Sequence, residues 1–180
     1  MTDQQRQLAL QTNKLQLSFW EKTSHFGIVG FLLLIPLTFL SFHLKDALNG
    51  TPVQLKTDEI PFLIVPPIIA LLFYKLQVNR LKFKEIHTSL SREELYIIIE
   101  KTGKELKWYP QKINNDFIIA KTHPSFFSGS WGEQIIILFD TNRILVNSIC
   151  DPDQKGSLVS MGRNKKNVTR LTEEILNASR

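Results

Sequence analysis

The sequence predicts an α+β protein: an N-terminal two-helix transmembrane hairpin followed by a small antiparallel-sheet domain with flanking helices. Three observations carry that expectation. Two apolar runs, Phe26 to Leu44 and Ile60 to Tyr74, lie close together in the first half of the chain. From Asn79 onward the composition becomes that of a soluble domain, large enough for one modest core. Within that part, segments of period two broken by turn residues are bracketed by segments of helical period. The expected organisation is a cytoplasmic N-terminal segment over residues 1–24, the hairpin over 25–78 with spans near 26–44 and 60–76, and a cytoplasmic α+β domain over 79–180.

The first run contains no Asp, Glu, Lys or Arg and approaches the roughly 20 residues that a hydrocarbon core demands. The second is shorter, but Tyr74 suits the lipid–water boundary, Lys75 can snorkel outward, and Leu76 and Val78 extend the apolar length. A cleaved signal peptide is disfavoured by the mostly polar residues before the first run and by the lack of a small-residue cleavage site after it. Pro66 and Pro67 each remove a backbone donor and predict a kink or break in the second span. Gly27 and Gly30 predict close packing of the two helices. Half of a discontinuous transporter helix would read the prolines differently, yet no intramembrane charge accompanies them.

Basic residues near the spans set the expected orientation. Arg6, Lys14 and Lys22 precede the first span, Lys45 and Lys56 lie between the spans, and Lys75, Arg80, Lys82, Lys84 and Arg92 follow the second. The bias predicts both termini in the cytoplasm, hence an inner-membrane protein. A single cysteine, Cys150, fits a reducing compartment. Counting from Gln77, 16 Lys and Arg against 12 Asp and Glu leave +4, a surplus suited to an anionic leaflet and too diffuse for dedicated nucleic-acid binding.

In the N-terminal segment Leu8, Leu10, Leu15, Leu17, Phe19 and Trp20 interrupt a Gln-rich background, with neither period dominant. It is expected to lie along the membrane surface or against the soluble domain, with Trp20 in the interfacial belt. Further on, Leu81 to Ile86 alternates like a strand. Ser91 with Glu94 forms a capping box before the helical run Leu95, Ile98, Ile99, Thr102, which Gly103 is expected to stop. Segments centred on Trp108, on Phe117 to Ala120, on Gln134 to Phe139 and on Ile144 to Cys150 predict four short strands. Val168, Leu171, Ile175 and Ala178 then predict a closing helix on one face of the sheet.

This order, with Trp108 opening the first strand after the helix and with Ser148, Gly162 and Asn164 near the end, resembles an uncharacterised bacterial family, domain of unknown function 1499. The resemblance covers about Ser91 to Ile175. The family's arginine–serine pair, loop aspartate and helix arginine stand here as Asn147-Ser148, Ser160 and Asn167. It implies a fold and no activity.

Three constellations bear on function. Ser160, Gly162, Arg163, Asn164, Lys165 and Lys166 put small residues and three cations at the start of the last helix, where free N–H groups and the dipole favour an anion. The bland alternative is a solvated first turn capped by Ser160 or Asn164. Phe126, Phe127 and Trp131 form an aromatic loop that either closes the core or docks on a partner or the bilayer interface. Gly129 and Gly132 predict a packed Trp131, with at least one of the two phenylalanines exposed. His123, Asp140, Ser148, Cys150 and Asp151 are the pieces from which a nucleophile and base could be assembled, but a buried structural cysteine is the simpler reading. His25, His43, His87 and His123 show no metal-ligand spacing.

The expectation is therefore a protein without cofactor, metal or catalytic signature, partnered by the lipid bilayer and by a further membrane or cytoplasmic protein. Its soluble domain would serve as an interaction or sensing module. The alternative is binding of an anionic lipid headgroup or small anion at the start of the last helix.

Overall fold

Residues 1–123, 131–154, 160 and 162–179 are described by a computed structural model. Along them run α1 (Asp3–Thr12), α2 (Phe19–Leu48), α3 (Ile60–Arg80), β1 (Lys84–His87), α4 (Arg92–Glu105), β2 (Trp108–Ile113), β3 (Phe117–Thr122), β4 (Glu133–Phe139), β5 (Arg143–Cys150) and α5 (Arg163–Ala178). The chain divides into two units, one of residues 26–79 and one of residues 1–25 with 80–180.

Both apolar runs are helical; α2 overruns its expected span at both ends, and α3 begins at Ile60 as expected and runs past residue 76 to Arg80. α2 has 30 residues and α3 has 21, so at a rise of about 1.5 Å each reaches the roughly 30 Å of a hydrocarbon core. Only 6% and 17% of their most apolar stretches are buried, the reverse of a core helix in a soluble protein. Both are long and apolar enough to cross a membrane. Pro66 and Pro67 do not break α3, and α2 continues through Pro36. The expected close approach at Gly27 and Gly30 is absent, since a Cβ on either would meet nothing within 4 Å. Aromatic side chains join the two helices instead, Phe26 with Tyr74 at 5.7 Å and Phe39 with Phe62 at 5.4 Å between ring centroids. At the loop end His43 Nε2 and Glu59 Oε2 are 2.9 Å apart.

The other unit is organised by an antiparallel sheet of order β1-β5-β4-β3-β2. β2 to β5 form a meander, and β1 joins its far edge because α4 intervenes in the chain. β4 lies at the centre and is buried along its whole length, as expected where both faces of a sheet are covered. On one face Ile135, Ile137 and Phe139 pack with Ile118, Ile144 and Val146 beneath Leu95 and Ile99 of α4 and Leu171 and Ile175 of α5. On the other, Ile136 and Leu138 pack with Phe117, Ile119, Leu145 and Ile149.

That second face is covered by the N-terminal segment. Ala9, Leu15 and Leu17 are at most 7% exposed and complete its core. α1 starts at a capping box, Thr2 with Gln5, and stops where Asn13 turns left-handed at φ 53°. The chain then pairs with the residues preceding β1: the Leu15 N–H donates to the Leu81 carbonyl at 2.8 Å, and the Phe83 N–H to the Asn13 carbonyl at 3.0 Å. The alternating segment Leu81 to Ile86 is thus divided, its first half bonded to the N-terminal segment and its second half to β5. Arg143 secures α1 further, its Nη2 donating to the Leu10 carbonyl at 3.2 Å.

The Ser91–Glu94 capping box opens α4 as expected. Gly103 does not stop it. The helix continues to Glu105, the Leu106 N–H donates to the Thr102 carbonyl at 2.9 Å, and Lys107 makes the left-handed exit at φ 57°. Gly103 is a packing position, because a Cβ there would lie 3.5 Å from Trp108 Cε3.

Candidate functional site

Strand register gathers the polar residues of this unit at one end of the sheet. Trp108 stands opposite Thr122, Glu133 opposite Cys150, and Ser148 two residues before Cys150 on the same face. Above them runs the first turn of α5, whose Asn164 and Asn167 are buried one turn apart.

These side chains form one hydrogen-bonded chain. Trp108 Nε1 donates to Asn167 Oδ1 at 3.1 Å, Asn167 Nδ2 donates to Ser148 Oγ at 3.1 Å, and Ser148 Oγ donates to Asn164 Oδ1 at 3.0 Å. Asn164 Nδ2 then reaches Cys150 Sγ at 3.8 Å. Beside it, fully buried Glu133 accepts from the Thr122 hydroxyl and meets Arg163 Nε at 3.2 Å. Each polar group has a neighbour of the right polarity, which such burial requires. Trp108, Ser148 and Asn164, singled out above with the family resemblance, thus lie in a single network, and Asn167 is the residue that joins them.

The residues expected to hold an anion are largely engaged inward. Gly162 is the left-handed cap of α5 at φ 83° and offers no side-chain cap. Ser160 Oγ accepts from the Asn164 N–H at 3.4 Å, and the Ser160 carbonyl accepts from the Arg163 N–H at 2.9 Å. The Asn164 amide faces Ser148 and Cys150, and Arg163 faces Glu133. Lys165 and Lys166 are exposed.

Of the aromatic loop, Phe126 and Phe127 lie outside the described residues. Trp131 is 53% exposed, which corrects the expectation that it packs. Gly132 does take a left-handed φ of 117°, but its carbonyl accepts from the Asp151 N–H at 3.0 Å, a bond that ties the strand ends together and leaves the indole outside.

The pieces of a nucleophile and base each have other partners. Burial pushes the Cys150 thiol above its ordinary range, opposed by Arg80 and by the Asn164 amide, so the thiolate needed for attack is disfavoured. The His123 ring packs on Tyr109 with centroids 3.9 Å apart. Asp140 pairs with Arg143 at 2.9 Å, and Asp151 with Lys121 at 2.9 Å. Among the described residues no three His, Cys, Asp or Glu side chains converge as metal ligands. The arrangement fixes α5 on the sheet.

Sequence reasoning missed Thr122 and Glu133, since a threonine and a glutamate at strand ends look solvated until register brings them under α5. It also missed Gln134, which reads as a polar alternation but is 7% exposed. No family model, no curated protein and no solved structure matches this chain.

Proposed function

We propose that this protein is an inner-membrane protein of two spans with both termini in the cytoplasm, whose α+β unit acts as an interaction or sensing module held at the membrane surface. The observation that carries the reading is the outward apolar surface of α2 and α3, which no other part of their unit covers. The backbone pairing of Leu15 with Leu81 supports a hairpin, because the chain leaving for the first helix and the chain returning from the second run side by side. The basic bias toward the segments before α2 and after α3 favours the cytoplasmic side for that pairing. Half-exposed Trp131, and Phe19 and Trp20 at 73% and 77% exposure, supply aromatic surface for a partner or for the lipid interface.

Reporter fusions test the reading. A fusion after Arg180 should behave as cytoplasmic and one at Gly50 as external. Alkaline phosphatase activity from the C-terminal fusion would overturn the orientation.

A further inference from the structure

Where the chain leaves for α2 and returns from α3, two lysines far apart in sequence are set face to face. Lys14 and Lys82 form an isolated antiparallel bridge. The hydrogen bonds around it run from the Leu15 N–H to the Leu81 carbonyl and from the Phe83 N–H to the Asn13 carbonyl, so the two lysines do not bond each other. They occupy the kind of antiparallel position in which opposite side chains come closest, with Cα atoms about 4.5 Å apart. Both side chains therefore leave the same face. Lys84 opens β1 two residues later and shares that face, while Phe83 between them is buried. All three lysines are exposed.

No acid answers them. Like charges directly opposite each other on paired strands are destabilising. Among the described residues no carboxylate lies within ion-pair distance of Lys14, Lys82 or Lys84: Glu85 is taken by Arg143 at 2.7 Å, and Glu21 receives the Ser18 N–H. The remaining residues of the chain include no Asp or Glu. The position of the bridge supplies the missing anion. α3 ends at Arg80 and α2 begins at Phe19, so chain length alone holds Lys82 within about 7 Å of the one and Lys14 within about 18 Å of the other. Exposed Phe19 and Trp20 open α2 with side chains suited to the headgroup level.

We propose that the Lys14–Lys82 bridge, with Lys84 beside it, binds the phosphate of an anionic phospholipid headgroup. One phosphate between the two ammonium groups turns their repulsion into a shared attraction. The site is distinct from the start of α5, whose Arg163 and Asn164 turn inward. The proposal deepens the reading of a unit held at the membrane surface and rests on it for the source of the phosphate, the bilayer.

The test places the full chain in nanodiscs of phosphatidylcholine alone or with phosphatidylglycerol and acetylates it sparingly with an uncharged N-hydroxysuccinimide ester, the sites being read by mass spectrometry. Exposed Lys112, on β2 at the opposite edge of the sheet, is the internal reference. The Lys82 to Lys112 acetylation ratio should fall about fivefold when phosphatidylglycerol is present. Lys14→Gln should largely abolish that fall, and Lys14→Arg should keep it. An unchanged ratio in the parent would overturn the proposal. So would an equal fall in Lys14→Gln and parent, which would assign it to the diffuse field of the leaflet, or a fall reproduced by inorganic phosphate in phosphatidylcholine discs at matched ionic strength, which would assign it to a soluble anion. Release of the chain from native membranes by alkaline carbonate would instead overturn the anchoring. The same ratio in detergent micelles doped with phosphatidylglycerol would then still decide the site, a fall upholding it and no fall overturning it.

Discussion

The Trp108 indole N–H donates to Asn167 Oδ1 at 3.1 Å, so a single amide ties the first strand of the meander to the last helix across a separation of 59 residues. The same amide donates to Ser148 on the central part of the sheet. Replacing Asn167 by Ala should leave the indole and the serine unpaired in a buried setting. The expected cost is about 2 to 4 kcal/mol, read as a lower thermal midpoint of the purified full chain. In a Trp108→Phe background the same replacement should cost less, because one orphaned donor is already gone. Equal losses in both backgrounds would mean that the bond contributes nothing separable.

Gly103 allows an opposite outcome. It lies inside α4, and a Cβ would meet Trp108 at 3.5 Å and 3.7 Å, ordinary contact distances. Gly103→Ala should therefore stabilise by about 0.5 to 1 kcal/mol through helix propensity alone. Gly103→Leu should destabilise, because the indole occupies the space beyond the first carbon. A destabilising alanine would show that the helix and the indole are closer packed than these distances imply.

How much of this was legible in the residues depends on whether a signal is local. The Ser91–Glu94 box, the four strands of the meander and the helical spacing of α5 are local patterns, and each yields its element, although β2 begins at Trp108 rather than being centred on it. The N-terminal segment is different. Its leucines match neither period, because α1 contributes Ala9 to the core and the extended stretch after it contributes Leu15 and Leu17. Only the sheet that receives them makes sense of that mixture. Gly103 was misread for a related reason: glycine signals a helix end locally, whereas here the cause is an indole five residues on. Of the candidate sites, a local role for Ser160 at the start of α5 was among the alternatives the residues offered, but the engagement of Arg163 with Glu133 and of the Asn164 amide with Ser148 was not visible, because both partners come from distant strands.

Acid should weaken the attachment of α1 in a defined window. Hydrogen bonding by Arg143 holds Glu85 below its ordinary 4.5 and Asp140 below 3.8, with the Thr141 N–H adding to the effect on Asp140. Depressed carboxylates contribute stability that is present above those ordinary values and is lost as pH falls through the folded ones. Stability should thus be flat at neutral pH and decline below about pH 4. Arg143→Gln should flatten that decline and should expose α1 to proteolysis, since the same guanidinium donates to the Leu10 carbonyl. An unchanged acid profile in the variant would assign the decline to other groups.

Lys165 and Lys166 remain as exposed cations at the start of α5. Changing both to Gln should reduce attachment to anionic liposomes by about 1 kcal/mol per charge if that face meets lipid, with the thermal midpoint unmoved. Changing Arg163 should behave differently, because its partner is fully buried Glu133 and its loss lowers stability. Equal liposome binding by the double variant and the parent at low salt would reduce the pair to a solvated helix face.

Asn147 offers the sharpest test of the pairing between the two ends of the hairpin. It is 2% exposed, and its Nδ2 donates to the Arg80 and Lys82 carbonyls, each at 2.8 Å. These are the residues where α3 ends and where the bridge to Lys14 begins. Asn147→Ala deletes both bonds and should cost about 1 to 3 kcal/mol. Asn147→Asp keeps the shape and reverses the polarity, setting a carboxylate oxygen against two carbonyl oxygens in a buried place, so near neutral pH it should be worse than alanine despite being closer in form. Below the raised pKa that this environment imposes, the acid gains a proton to donate, and the aspartate variant should recover relative to alanine. Limited proteolysis around residues 80–83, followed from pH 7.5 to pH 5, would display that crossing. An aspartate variant as resistant as the parent at neutral pH would show that the Asn147 amide does not hold this end of the hairpin.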